Sequence, residues 1–302
     1  MSKEKAVGAL PGIRKNEILA GYSWFRIGGP ADWFLSIEDV DAAGGALRAA
    51  RDDGMPVFIL GAGSNILFDS KGFRGLVLKA EFKSLEIKDG IVSAGAGVPL
   101  AALMRYSAEN RLGGWEGLSG IPGTVGGAVR GNAGAYGTEI GAFTKKIYNM
   151  DSSGVAGECN QEEARFGYRH SIFKMTKDLI YRIDFSLNEI DPAVCLARMK
   201  EIEDERKRKH PQKNTAGCFF KNPKEHGVSA ARLIERAGMK GKREGGAGIS
   251  ELHSNFIVNL GGATSGDVLA LAGMIRETVE KMSGIVLEEE VEIVPENPAA
   301  AD

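Results

Sequence analysis

The chain has 302 residues, 43% of them hydrophobic and 26% charged, with a formal net charge of -2 at pH 7. That length holds two or three domains with real cores, and the near-neutral balance excludes a basic field recruiting nucleic acid or an anionic membrane. Three scattered cysteines without a CxxC argue against a disulfide framework, and neither they nor the four histidines fall at ligand spacing, so no metal is expected.

Residues 1 to about 20 read as a polar lead-in, and Met1 to Lys15 lacks the apolar core of a signal peptide. No apolar run approaches the roughly 18 residues that a membrane span needs, so the reading is a cytoplasmic protein. From Ile37 the pattern turns helical. Ser36 and Asp39 resemble a capping box, and Val40, Ala43, Leu47 and Ala50 recur on one face. Gly54 and Pro56 end that helix. Val57-Phe58-Ile59-Leu60 is a short strand of the buried kind, running straight into Gly61-Ala62-Gly63-Ser64-Asn65. A strand followed by a glycine loop suits phosphate, but no long helix opens there, so this is not the ordinary dinucleotide fingerprint. Strands follow at Phe73 to Leu78 and Leu85 to Ala94, the second split by the Asp89-Gly90 hairpin signal. Val98 to Glu109 reads as an amphipathic helix closed by Asn110 and Gly113-Gly114.

Gly120 to Gly137 then places seven glycines in eighteen residues. Glycine contributes little core but permits close approach, and a pyrophosphate held by backbone N–H groups is the usual beneficiary. With the loop at Gly61, two such segments point to dinucleotide binding. Further strands are expected at Lys146 to Met150 and Leu179 to Leu187. Asp191-Pro192 starts a helix running to about His210, whose end interleaves acids and bases as a solvated face does. Pro211 to Asn214 reads as a linker. Beyond it lie a helix at Ser229 to Ala237, a glycine-rich Gly241 to Gly248, and a strand at Phe256 to Asn259. A long helix follows from Asp267 to Met282, capped by Ser265 and closed by Gly284. The last strand, Ile285 to Val294, puts Glu288, Glu290 and Glu292 on one face and Leu287, Val291 and Ile293 on the other. The fold class is α+β.

Four polar clusters stand out beyond the glycine loops: Tyr168-Arg169-His170-Ser171, Gly217-Cys218-Phe219-Phe220-Lys221-Asn222-Pro223, Ser250-Glu251-Leu252-His253-Ser254-Asn255 and the terminal acidic strand. Arg presents a permanently charged planar fork for carboxylate or phosphate. Taken singly, each cluster reads more simply as structure: a surface turn, an inert buried thiol, a satisfied histidine, solvated carboxylates.

Their wording and order change that reading. Ser23-Trp24-Phe25-Arg26-Ile27-Gly28-Gly29-Pro30-Ala31-Asp32, Leu60 to Asn65, Ile121-Pro122-Gly123-Thr124-Val125-Gly126-Gly127-Ala128 and Asn132-Ala133-Gly134-Ala135-Tyr136-Gly137 come first. Tyr168 to Ser171, Phe220 to Pro223, Ala237-Gly238-Met239-Lys240-Gly241 and Leu287-Glu288-Glu289-Glu290-Val291 complete the set. Together they resemble the UDP-N-acetylenolpyruvoylglucosamine reductase family, flavin enzymes that complete UDP-N-acetylmuramate in bacterial peptidoglycan synthesis. The match covers about residues 23 to 294 and looks like the shorter type of this family, without an inserted substrate-covering loop. The glycine phrase also suits the wider class of two-subdomain, vanillyl-alcohol-oxidase-like FAD proteins. The surroundings of Arg169, Lys221-Asn222 and Glu290 are more specific to the reductase.

The resemblance implies a two-subdomain FAD-binding fold, residues 1–80 and 81–205, plus a C-terminal α+β substrate-binding domain, residues 206–302, whose last strand returns Glu290 to the flavin. FAD, bound without a covalent link, would contact Gly61, Ala62, Gly63, Ser64, Asn65, Gly120, Pro122, Gly123, Thr124, Gly126, Gly127, Asn132 and Gly134. NADPH would be the electron donor, and Tyr168, Lys221, Asn222 and Asn255 would face UDP-N-acetylglucosamine enolpyruvate. Arg169 and Glu290 would stabilise the charge that follows hydride addition, and Cys218 would donate the proton. Cys218 departs from the family, where Ser is common; a thiol with a reference pKa near 8.5 is mostly protonated at neutral pH and is a reasonable acid. Glu292 also departs, standing where Arg is frequent, which puts a local flavin or phosphate contact in doubt. Two rivals stay open: another FAD oxidase of the same two-subdomain type, and a flavin or nucleotide-sugar binding protein that lost catalysis. A monomer is the expected state.

Overall fold

The computed structural model describes residues 6–298. The chain divides into two compact units. One holds the residues up to Lys15, Trp33–Ala62 and Gly75–Arg206; the other holds Asn16–Asp32, Gly63–Arg74 and the chain from Lys207 on.

In the first unit the strand Val57–Leu60 lies parallel to Phe73–Ala80, with Val57 opposite Leu76. These two belong to a four-stranded sheet ordered Arg14–Ile18, Pro30–Ile37, Phe73–Ala80, Val57–Leu60. Helix α1 (Val40–Asp52) buries Ala43, Ala46, Leu47 and Ala50, a stripe at i, i+3, i+4, i+7. A second, antiparallel sheet runs in the order Ala156–Asn160, Thr144–Met150, Leu179–Ser186, Ile91–Gly95, Leu85–Lys88. Its terminal hairpin turns at Asp89 and Gly90, with φ of 50° and 76°, the paired positive values that a two-residue turn matched to strand twist requires. Helices α2 (Leu100–Glu109) and α3 (Val125–Arg130) bury Leu103, Met104, Val125 and Val129 in the same core. Trp115 is fully buried there, edge-on to Phe185 at 5.3 Å between ring centroids. The short helix α4 (Phe173–Thr176) and the long α5 (Pro192–Lys209) follow.

In the second unit, α6 (Ala230–Arg236) and α7 (Ser265–Ser283) share a core with the antiparallel strands Arg243–Glu244, Ala247–Ile249 and Ile257–Asn259. Val268, Leu271, Ile275 and Val279 of α7 meet Phe25, Ile27, Phe219, Phe220, Leu287 and Val291. The strand Glu292–Val294 pairs in parallel with Ile66–Phe68. Among the described residues no helix is long and apolar enough to cross a membrane, and no group of three or more His, Cys, Asp or Glu side chains could hold a metal ion.

Several expectations need correction. Residues 6–20 are more than a polar lead-in: Val7 is fully buried and Arg14–Ile18 is a strand. Ile37 ends the strand Pro30–Ile37, so Ser36 caps nothing; Asp39 is the cap, accepting from Ala42 N–H at 2.8 Å. Thr264, not Ser265, caps α7, in a reciprocal box with Asp267. Gly284 closes that helix with φ +71°. The terminal strand is only Glu292–Val294. Before it Glu288 and Glu289 are drawn to Lys221 and Arg276, and the expected alternation breaks: Ile293 is exposed while Val294 is buried.

Replacing Thr264 by Ala should lower the unfolding free energy by about 1 kcal/mol, the usual worth of such a cap. Ser36→Ala, on an exposed mid-strand position, should stay within about 0.5 kcal/mol of the parent. Urea denaturation of the two variants distinguishes the cap from the misread one.

Candidate active site

In the first unit the glycine segment and the Tyr168-Arg169 turn are tied together by three hydrogen bonds. Arg169 has φ +55°, inside a turn where Gly167 and His170 exchange backbone bonds at 3.0 and 3.1 Å. Its guanidinium donates to the Gly134 carbonyl at 2.8 Å and lies 5.1 Å from the Tyr168 ring centroid. Asn132 Nδ2 donates to the Gly167 carbonyl at 2.8 Å, and Ser171 Oγ to the Arg130 carbonyl at 2.7 Å. The turn therefore mounts a fixed cation directly against the glycine backbone. Asn132 is 1% exposed and its amide is fully used, since Nδ2 also donates to Glu139 Oε2 at 2.9 Å and Oδ1 accepts from Gly141 N–H at 3.0 Å. Arg206 of α5 donates to the Gly120 carbonyl at 3.2 Å.

The loop after Val57–Leu60 and the start of α3 meet inside this unit. A Cβ on Gly61 would lie 2.7 Å from Thr124 Oγ1, and one on Gly126 would lie 2.7 Å from the Ala96 Cβ. Thr124 caps α3, its hydroxyl reaching Gly127 N–H. Yet the backbone N–H groups of Ala62, Gly123 and Thr124 find no acceptor among the described residues. In the second unit, buried Gly63 repeats the pattern. Its φ is +65°, a Cβ would collide with the Tyr22 carbonyl oxygen, and its N–H finds no acceptor among the described residues. Unpaired backbone donors at partly buried glycine turns are rare and suit an anion with several oxygens, so the Ala62, Gly123 and Thr124 donors of the first unit fit a pyrophosphate.

The second unit also gathers the other chemistry. The stretch Cys218 to Lys221 bends at Phe219 and is held on two sides. On one side Phe219 N–H donates to the Asn255 carbonyl at 2.7 Å, while the Asn255 amide takes Phe220 N–H at 3.0 Å and gives to the Phe220 carbonyl at 2.8 Å. On the other, Glu290 N–H donates to the Phe219 carbonyl and Lys221 N–H to the Glu288 carbonyl, both at 2.8 Å. Asn65 Nδ2 donates to the Glu290 carbonyl at 3.1 Å, and Glu292 N–H returns to the Asn65 carbonyl at 3.0 Å. Cys218, Lys221, Glu290 and Asn65 are thus brought together.

The side chains of three sequence-derived substrate residues have chain partners. Lys221 pairs with Glu288 at 3.0 Å, Asn222 Oδ1 accepts from Ala230 N–H at 3.0 Å, and Asn255 is 2% exposed with its amide closed around Phe220. Sequence reasoning missed Glu288 as the partner of Lys221 and Glu139 as the partner of Asn132. Only long-range pairing reveals them, and no local spacing encodes it. The other two thiols are unsuited to thiolate chemistry. Burial and the Glu116 carboxylate 3.0 Å away push Cys195 up to about 12, and burial raises Cys159.

Residues 209–294 match the C-terminal domain of UDP-N-acetylenolpyruvoylglucosamine reductase, and residues 31–151 match an FAD-binding domain. The chain is 41% identical over 284 residues to the UDP-N-acetylenolpyruvoylglucosamine reductase of Pelobacter propionicus, covering 93% of this chain and 95% of that protein. It is 39% identical to the reductase of Carboxydothermus hydrogenoformans, covering 94% of each. The crystal structure of the reductase from Thermus caldophilus superposes with a TM-score of 0.81 at 36% identity, over 94% of this chain and all of that one.

Asn132→Asp should cost about 3 kcal/mol at pH 7, because it sets a buried carboxylate against Glu139 and a carbonyl. The new carboxyl would have a raised pKa, so the deficit is full above that value and shrinks as pH falls through it. Denaturation at pH 7 and pH 5 checks both the size and the sign.

Proposed function

The chain belongs to the UDP-N-acetylenolpyruvoylglucosamine reductase family, and from that premise we propose how its residues divide the work. It is an FAD-dependent oxidoreductase that reduces UDP-N-acetylglucosamine enolpyruvate to UDP-N-acetylmuramate, a step of peptidoglycan synthesis. When bound, FAD supplies the two-electron chemistry that links NADPH oxidation to hydride addition at C3 of the enolpyruvyl group. In the first unit Ala62, Gly123 and Thr124 offer their backbone N–H groups to the pyrophosphate.

Hydride addition pushes charge onto C2 and the neighbouring carboxylate. A fixed cation with little freedom to reorganise stabilises such charge best, and Arg169 is held in that way by its turn and the Gly134 carbonyl. C2 then takes a proton from the Cys218 thiol, an acid of suitable strength at neutral pH. Glu290 assists beside it, and Tyr168, Lys221 and Asn222 receive the substrate. The observation that carries this reading is the bond from Glu290 N–H to the Phe219 carbonyl, 2.8 Å, which sets Glu290 against the strand bearing Cys218. An oxidase would have no use for that arrangement, and the C-terminal match to the reductase over residues 209–294 supports the same choice. We keep the division into residues 1–80, 81–205 and 206–302, and place the protein in the cytoplasm as a monomer.

Anaerobic stopped-flow absorbance tests the assignment. NADPH should bleach the flavin band and the enolpyruvyl nucleotide sugar should restore it. Cys218→Ser should retain reoxidation within about tenfold. Cys218→Ala should keep reduction by NADPH while losing product formation by roughly 100-fold, the usual worth of a general acid. Reoxidation of the Ala variant at the parent rate removes Cys218 as the donor.

A further inference from the structure

Behind the Cys218 strand lies a small aromatic cluster that the reaction does not use directly. His253, His210 and Phe256 pack face and edge: His210 stacks on Phe256 at 5.1 Å and 23°, while His253 stands edge-on to Phe256 at 4.8 Å and to His210 at 5.1 Å. The His253 Nδ1 accepts the backbone N–H of Asn255 at 3.3 Å. Asn255 in turn holds Phe219 through its carbonyl and Phe220 through its amide, and Phe256 bridges Cys218. A chain of contacts therefore runs from one imidazole to the backbone on both sides of Phe219, next to the proton donor.

We propose that His253 is a positioning residue, which in its neutral form fixes Asn255 and so holds the Cys218–Lys221 strand in register for proton donation. This rests on the assignment of Cys218 as donor in the reductase reaction. An imidazole nitrogen accepts a hydrogen bond only while it carries no proton, so the Asn255 bond requires the tautomer with hydrogen on Nε2. Protonation would set N–H against N–H and release Asn255. The surroundings favour the neutral form. Burial lowers the pKa of His253 below the ordinary histidine value, with Lys240 adding to the effect; a hydrogen bond to its own backbone and Glu235 at the end of α6 oppose it. His210 faces the ring across the cluster. Because the folded value is depressed, this contribution to stability is complete above the unfolded pKa and is lost as pH falls through the folded one. The strand stays mounted at neutral pH and loosens on acidification.

The holoenzyme can be read by long-range proton–nitrogen NMR of its histidines from pH 8 to 5. The expected result is an Nε2–H tautomer for His253, a midpoint below about 6.5, and movement of the Phe219, Phe220 and Asn255 amide signals with that midpoint. An Nδ1–H tautomer, or titration that leaves those amides unmoved, overturns the proposal. In stopped flow, His253→Ala should slow sugar-driven reoxidation about tenfold, leave NADPH-driven reduction within about twofold, and abolish the acid limb of the reoxidation profile. His253→Gln, whose oxygen can accept the same N–H, should recover most of the rate at neutral pH. A His253→Ala enzyme that keeps the parent rate and acid limb also overturns it. The NMR readout needs no sugar. If the parent is reduced by NADPH but not reoxidised by the sugar, the reductase reading fails by itself, and the tautomer still decides the role of His253.

Discussion

A buried peptide must find partners for its N–H and carbonyl groups, or lose the free energy of the missing bonds. The stretch from Cys218 to Lys221 meets that demand at Phe219 and Phe220 without belonging to a regular sheet. A side-chain amide closes one edge and an irregular acidic segment closes the other. Its middle residues, Phe219 and Phe220, are each 1% exposed and anchor in the same core as α6 and α7. The polar residues that flank the anchor inherit its fixity: Cys218 before it, Lys221 and Asn222 after it, Glu290 bonded across it. Asn255 is suited to its place because an amide can donate and accept at once, copying the two bonds of a neighbouring strand in one side chain.

Elements with a complete local signature were legible from the sequence. The stripe of α1, the Asp89-Gly90 hairpin, the Asp191-Pro192 start of α5 and Gly284 after α7 each carry their own cause within a few residues. Errors arose where two nearby residues compete for one role. Ser36 and Asp39, like Ser265 and Thr264, both have the chemistry of a cap, and the backbone path chooses between them. Ala156–Asn160 shows no apolar alternation because it is a largely exposed edge strand, and nothing local announces it.

The site was legible in its residue types but not in their partners. Asn132 and Asn255 attract a ligand-binding reading because each is a polar residue in a segment rich in functional phrases. Both also spend their amides on distant backbone, at Gly167 and Phe220. The glycines show the same division. Gly61, Gly63 and Gly126 are small because Thr124, Tyr22 and Ala96 press against them. In the first unit, beside Gly61, the N–H groups of Ala62, Gly123 and Thr124 find no acceptor among the described residues. Close packing and free donors thus occur in the same turns.

The second unit is drawn from three separated stretches of chain, and this bears on how the molecule is made. On the ribosome, Ile66–Phe68 emerges long before its parallel partner Glu292–Val294. Until that partner is made, Leu67 and Phe68, both fully buried in the finished molecule, have no partner strand. A nascent chain of this layout holds apolar residues waiting for a distant segment, a setting in which chaperones and truncation have large effects. A chain cut short before Glu292 would therefore fail as a whole rather than lose one strand.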